Sequence, residues 1–170
     1  IAAAQTTAPG QAHVTVAPVA ATRDALADTR EADAAAHTTP ESAATPTVES
    51  TAILPQYRAL YEENPDLVGW LRIDGTNINN VVMFAPDTPG KYLHMDFYGK
   101  WSYRGTLYVA ENCDVRTADN ILIYGHHMKD GSMFGSLISY KDAAFRAAHP
   151  IVQFDTLYAS HTYEIVAAIE

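Results

Sequence analysis

The chain has 170 residues, 48% of them apolar, which suits one domain of ordinary size and not two large ones. Eleven Lys and Arg against twenty Asp and Glu leave a formal charge of −9, the wrong sign for gripping nucleic-acid phosphates or an anionic membrane surface. No apolar run approaches the roughly 18 residues that a spanning helix needs, and the single cysteine, Cys113, allows neither an internal disulfide nor an all-cysteine zinc site.

Residues 1–52 differ in kind from the rest. They hold 17 Ala and 10 Thr, with Pro9, Pro18, Pro40 and Pro46, while all seventeen aromatics fall between Tyr57 and Tyr163. Such a tract cannot bury enough apolar surface to offset its ordering entropy, so it reads as a disordered stalk or linker. The Ala-rich stretch from Thr22 to Ala36 favours transient helix, but its apolar face would be almost all methyl groups. From residue 53 a folded unit is expected. Leu54, Tyr57, Leu60 and Tyr61 recur at helical spacing and stop at Asn64-Pro65, which predicts a short amphipathic helix over 55–63.

Residues 69–75 alternate apolar and polar as a half-buried strand does, and 78–84 form a second strand before the break from Pro86 to Gly90. The stretch 92–95 reads as irregular or helical. Strands follow at 105–110 and at 120–124, the latter nearly all apolar and therefore central. Helical patterning covers 133–140 and 142–148, closed by His149-Pro150, and strands return at 151–154 and 162–169. Many short strands with few helices between them point to a mixed or antiparallel β-barrel. The chain opens on Ile1 and stops at Glu170 inside an apolar, alternating run, so it reads as a piece of a longer protein.

The densest cluster of unusual residues is Tyr124-Gly125-His126-His127-Met128-Lys129-Asp130-Gly131-Ser132-Met133-Phe134. A strand ends there, a glycine permits a sharp approach, and a histidine stands at the exit, where a rigid scaffold delivers a reactive side chain. Imidazole changes charge nearest neutral pH, so His126 is the candidate general acid or base, against the plainer reading of two turn histidines. A metal-dependent hydrolase using His126, His127 and His149 is the weaker alternative. Adjacent histidines point to opposite sides of a strand, and no acidic residue falls at a ligand spacing. Cys113 sits between Glu111 and Asp114, which oppose thiolate formation. A dyad with His126 needs it to reach past one strand, and an ordinary loop thiol is the simpler reading. Trp70 and Trp101 read as core or barrel-edge aromatics, Asn79-Asn80 as a strand edge, and Met128 and Met133 as cover for the core.

Residues 55–170 resemble the N-terminal two-thirds of the catalytic domain of class B sortases, the Gram-positive cell-wall cysteine transpeptidases. The resemblance rests on an ordered set: Asn64-Pro65-Asp66-Leu67-Val68-Gly69-Trp70-Leu71-Arg72-Ile73, Gly75-Thr76-Asn77-Ile78, Tyr92-Leu93 and Gly105-Thr106-Leu107-Tyr108. Asn120-Ile121-Leu122-Ile123-Tyr124-Gly125-His126-His127-Met128 and Met133-Phe134-Gly135-Ser136-Leu137, with Tyr140 and Phe145, complete it.

The resemblance implies a closed β-barrel with an N-terminal helix, here stopping before its last strands, and no cofactor. It implies a cysteine thiolate that attacks the threonine carbonyl of a sorting motif on a secreted protein. A histidine then protonates the leaving amine while an arginine holds the oxyanion. A peptidoglycan cross-bridge or pilin amine resolves the thioester. The enzyme would stand on the outer face of the plasma membrane, tethered by an anchor outside this sequence. The family's histidine falls on His126. Its cysteine, in a Thr-Leu-x-Thr-Cys strand end, and its arginine have no counterpart in this sequence, so the 170-residue chain is expected to be inactive by itself. A non-catalytic module of the same fold that binds a peptide or wall component is the second reading.

Overall fold

The computed structural model describes residues 52–168 and, as backbone, residues 11–16. A mixed seven-stranded sheet runs in the order β1-β5-β4-β3-β2-β6-β7. Its strands are β1 (Gln11–Val16), β2 (Leu67–Arg72), β3 (Asn79–Met83), β4 (Leu107–Val109), β5 (Ile121–His126), β6 (Ile151–Thr156) and β7 (Ser160–Glu164). Neighbours are antiparallel except for β3 and β4, which run parallel because a long excursion over residues 84–106 separates them. Helices α1 (Pro55–Glu63) and α2 (Ala143–Ala148) and 3₁₀ turns at Lys91–Leu93 and Gly135–Lys141 fill the connections.

Helix α1 has the predicted bounds, and local chemistry accounts for both ends. Proline at the first helical position has no amide hydrogen to leave unpaired, and Asn64 before Pro65 is extended at φ −141°. Asn64 then donates from Nδ2 to the Phe97 carbonyl at 2.7 Å, which pins the helix end to the excursion. On the inner face Tyr57 stacks on Trp70 and its hydroxyl donates to Asp155 at 2.6 Å, so one side chain ties α1 to β2 and β6.

Two apolar clusters lie against the sheet. One gathers Leu71, Ile73, Ile78, Val82, Ile123 and Phe134, and the other gathers Tyr57, Leu67, Met83, Tyr92, Phe97 and Leu157 beneath α1. Met133 is buried and Met128 packs on the first cluster, as expected of core cover. Trp101 departs from its expected place in the core or at the barrel edge: it is 75% exposed, because it rides on the excursion and not on a strand.

The strand positions agree with the alternation in the sequence, with shifts at their ends. β2 starts earlier than predicted, since a register shift between Leu67 and Gly69 carries pairing through the glycine. In place of the helix expected over 133–140 there is a tighter 3₁₀ turn, Gly135–Lys141, and β7 stops at Glu164. Within the Ala/Thr/Pro tract, Gln11–Val16 forms β1, paired residue for residue with β5. Pairing with a strand edge is a backbone interaction and needs no aromatic burial, so composition gave no sign of it. The remainder of the tract read as a stalk lies outside the described residues.

Candidate active site

β5 places its residues by simple alternation. Ile121, Ile123 and Gly125 are buried, while Leu122, Tyr124 and His126 are half-buried on the opposite side. Gly125 must lack a side chain: a Cβ there would run into Leu107 and would come within 2.9 Å of Phe134. The missing atom lets Phe134 close beneath the strand end and leaves the His126 imidazole as the last side chain β5 delivers.

The loop beyond it is tied to itself. The His126 carbonyl accepts from the Phe134 amide at 2.9 Å, and His127 and Met133 form a β-bridge that closes the loop. Asp130 accepts from the Ser132 amide at 3.0 Å and from its hydroxyl at 2.6 Å. Those two bonds, with Arg104 behind them, hold the Asp130 carboxyl below the usual carboxylate range. Gly131 at φ +77° supplies the left-handed turn, and Met133 adopts φ +51°, a conformation costly for a non-glycine residue and sustained by its burial. The result is a short, rigid collar around one histidine.

His126 is half-buried, and its Nε2 atom is fully enclosed with no hydrogen-bond partner among the described residues. The His94 ring packs against it, with centroids 5.3 Å apart and planes at 41°. Trp101 in turn stacks on His94, with centroids 6.3 Å apart. Neither residue was a sequence candidate for the site. His94 follows Tyr92-Leu93 with no spacing that links it to β5, and only the fold brings the rings together.

The other candidates disperse. His127 is exposed, on the other side of the chain from His126. His149 packs against Phe145 at 4.5 Å and lies over Gly75, so it belongs to the β2–β3 turn. His161 on β7 faces Tyr163. Among the described residues, no three His, Cys, Asp or Glu side chains are placed to hold a metal ion. Cys113 lies in the connection that enters β5 at Ile121, whereas His126 leaves β5 at its other end. At about 3.3 Å per residue those ends are roughly 16 Å apart. The Cys113 thiol instead meets the Asn112 side chain at 3.6 Å and packs on the first core cluster.

No family model matches the chain. It is 30% identical over 117 residues to sortase B of Staphylococcus aureus (strain NCTC 8325 / PS 47), an alignment covering 68% of this chain and 48% of the relative. It is 34% identical over 116 residues to sortase B of Listeria monocytogenes serovar 1/2a (strain ATCC BAA-679 / EGD-e), covering 68% and 47%. The crystal structure of Bacillus anthracis sortase B in complex with AAEK1 superposes with a TM-score of 0.61 at 30% identity, over 72% of this chain and 61% of that one. The chain therefore spans about half the length of the curated relatives it matches. Strands β2 to β7 share the mainly β, half-barrel architecture of these enzymes, as the ordered motifs led one to expect. By sequence and by fold, the chain is similar to sortase B over about two thirds of its length.

Proposed function

We propose that this chain is the histidine-bearing part of a cysteine transpeptidase that joins secreted proteins to an amine of the cell wall or of a pilin. The observation that carries the reading is the place of His126. In a chain similar to sortase B, it stands at the end of β5 on a glycine-cleared collar, with Nε2 enclosed and unpaired among the described residues. An imidazole so held suits proton delivery to the amine that leaves when a thiolate attacks the threonine carbonyl. The β5 strand and the loop closed by His127 and Met133 fix the ring's origin.

Sortase B of Staphylococcus aureus has been solved as a substrate complex, and a sortase B has been solved with triglycine. By that likeness, the substrate is an extended sorting motif and the acceptor an amine such as a peptidoglycan cross-bridge. The nucleophilic cysteine and the oxyanion-holding arginine belong to sequence beyond these 170 residues. Cys113, in its polar loop at the far end of β5, does not stand in for the first. Apart from β1, which belongs to the sheet, the Ala/Thr/Pro tract serves as a linker toward an anchor on the outer face of a Gram-positive membrane.

Reading the coding frame past Glu170 tests this directly. The expected frame encodes Thr-Leu-x-Thr-Cys and then an arginine one strand later. A frame that continues without that cysteine would leave a binding module in place of an enzyme.

A further inference from the structure

Six large apolar side chains among the described residues stand out in solvent. Ile138, Ile151 and Val166 are scattered aliphatics. Tyr98, Trp101 and Tyr103 instead fall together on the excursion that joins the 3₁₀ turn at Lys91–Leu93 to β4, at 66%, 75% and 68% exposure. Single exposed apolar residues are ordinary, but a cluster marks a contact surface. Flat rings with phenol hydroxyls and an indole N–H at their rims suit a partner that has apolar faces and hydroxylated edges.

The excursion presents these rings on a fixed base. Phe97 is buried in the cluster beneath α1, and its carbonyl accepts from Asn64 Nδ2 at 2.7 Å. Tyr98 packs edge-on against Phe97, with centroids 5.2 Å apart. The buried Thr106 donates its hydroxyl to the Met95 carbonyl at 2.9 Å, and a β-bridge joins Met95 to Trp101. The Asp96 carboxylate accepts from the Tyr98 and Lys100 amides at 3.0 and 2.8 Å. A surface already held in shape loses little conformational freedom when a partner arrives.

Position and charge narrow the partner further. Trp101 stacks on His94, and the His94 ring packs on His126, so the exposed rings are continuous with the imidazole at the end of β5. The whole chain carries −9, yet residues 94–104 hold Lys100 and Arg104 against Asp96 alone. That acid is engaged by two backbone amides, and Arg104 pairs with Asp130 at 2.7 Å. Lys100, beside Trp101 in the chain, therefore sets the local sign. The combination fits a row of neutral sugars bearing carboxylates. A peptidoglycan strand has that chemistry: its pyranose rings have apolar faces, and its stem peptides carry acids.

We propose that Tyr98, Trp101 and Tyr103, with Lys100, form a platform on which a peptidoglycan strand lies while its amine reaches the site of His126. The proposal rests on the reading of the acceptor as a cell-wall amine. Sugar C–H faces cover the rings, sugar hydroxyls meet the phenol and indole rims, and Lys100 meets a stem-peptide carboxylate. The platform makes and breaks no covalent bond. It raises the local concentration of acceptor at the imidazole.

Co-sedimentation of the 170-residue chain with purified sacculi, stripped of protein and teichoic acid, tests the platform. The parent chain should pellet with the sacculi, and Trp101→Ala should weaken the apparent affinity about tenfold or more. Trp101→Phe, which keeps a flat ring, should recover most of that loss, as a folding defect would not. Lys100→Gln should weaken binding about two- to fivefold at low salt and not at high salt. Val166→Ala, an exposed aliphatic away from the rings, should bind as the parent does. In the unmutated chain, soluble uncross-linked strands should shift the tryptophan emission to the blue, and Trp101→Phe should remove the shift.

A parent chain that stays in the supernatant would overturn the proposal, as would pelleting that Trp101→Ala leaves unchanged. An emission shift given by a sorting-motif peptide and not by the strands would place a polypeptide on the rings. A dimer in sedimentation velocity that Trp101→Ala breaks would place a second copy there. Either result would overturn it too. Failure of the functional reading is separable. Turnover that survives His126→Ala in the complete gene product would remove the role of the imidazole and leave pelleting as it is, whereas ligation without pelleting would remove the platform alone.

Discussion

At position 125 only a hydrogen atom fits. Gly125→Ala forces a methyl group against Leu107 and Phe134, both fully buried in the first core cluster. The cost is that of overpacking, about 1–3 kcal/mol, read as a lower urea midpoint at unchanged slope. The substitution also moves the strand end that aims His126, so activity in the complete enzyme should fall by more than the loss of folded protein explains. This residue and its neighbour were legible in the sequence, because a strand, a glycine and a histidine are consecutive and their physical roles are local. His94 was not legible, and neither was the Arg104–Asp130 pair. Each contact joins residues far apart in the chain with no periodicity between them. Trp101 was misplaced for a related reason: an aromatic in a loop looks the same in sequence whether it turns inward or, as here, stacks on a histidine from the solvent side.

Elements were easier to read where one physical rule set both ends. Helix α1 begins on Pro55 and ends before Pro65, and both limits follow from the proline ring. Helix α2 is capped by Asp142, whose carboxylate accepts from the Ala144 and Phe145 amides at 2.6 and 3.1 Å. Asp142→Ala should cost about 1 kcal/mol of stability in thermal unfolding, and Asp142→Asn much less. Strand ends were harder, since pairing continues until a neighbouring strand stops and not until the alternation fades. β1 is the extreme case: Gln11–Val16 pairs along the whole of Ile121–His126 from within a tract whose composition suggests no structure. Removal of residues 1–50 should therefore expose one edge of β5. Amide hydrogen exchange in Ile121–His126 should rise roughly tenfold or more, while β2 and β6 stay protected. Unchanged exchange in β5 would mean that β1 adds nothing to the sheet.

Over the whole molecule, one polar knot joins the end of α1, the start of β2 and the excursion. Asp66 accepts from Lys91 at 2.7 Å and from the Tyr92 hydroxyl at 2.8 Å, and the Asn64 amide reaches Tyr92 as well. Burial pushes the Asp66 carboxyl up, but the bonds from Lys91 and Tyr92 outweigh it and hold the group below the usual carboxylate range. A carboxyl depressed on folding contributes stability above its unfolded pKa and loses it as pH falls through the folded value. Stability should thus decline below about pH 4, and Asp66→Asn should flatten that decline. With the pair a third exposed, the difference should stay near 1 kcal/mol or less, measured by denaturant titration at stepped pH. At this scale the fold class was legible because strand alternation and the order of the motifs agreed. The active constellation was not, since the proposed reading needs a nucleophile and no cysteine lies near His126 among the described residues. The central claim is that His126 is the acid of a transpeptidase whose nucleophile lies beyond this chain. The most direct measurement is ligation of a sorting-motif peptide to triglycine, followed by mass spectrometry. It compares the 170-residue chain, the complete gene product and its His126→Ala variant. Ligation by the complete product alone, reduced about a thousandfold or more in the variant, is the predicted result. Turnover by the 170-residue chain that vanishes with Cys113→Ala, or turnover that survives His126→Ala, would contradict it.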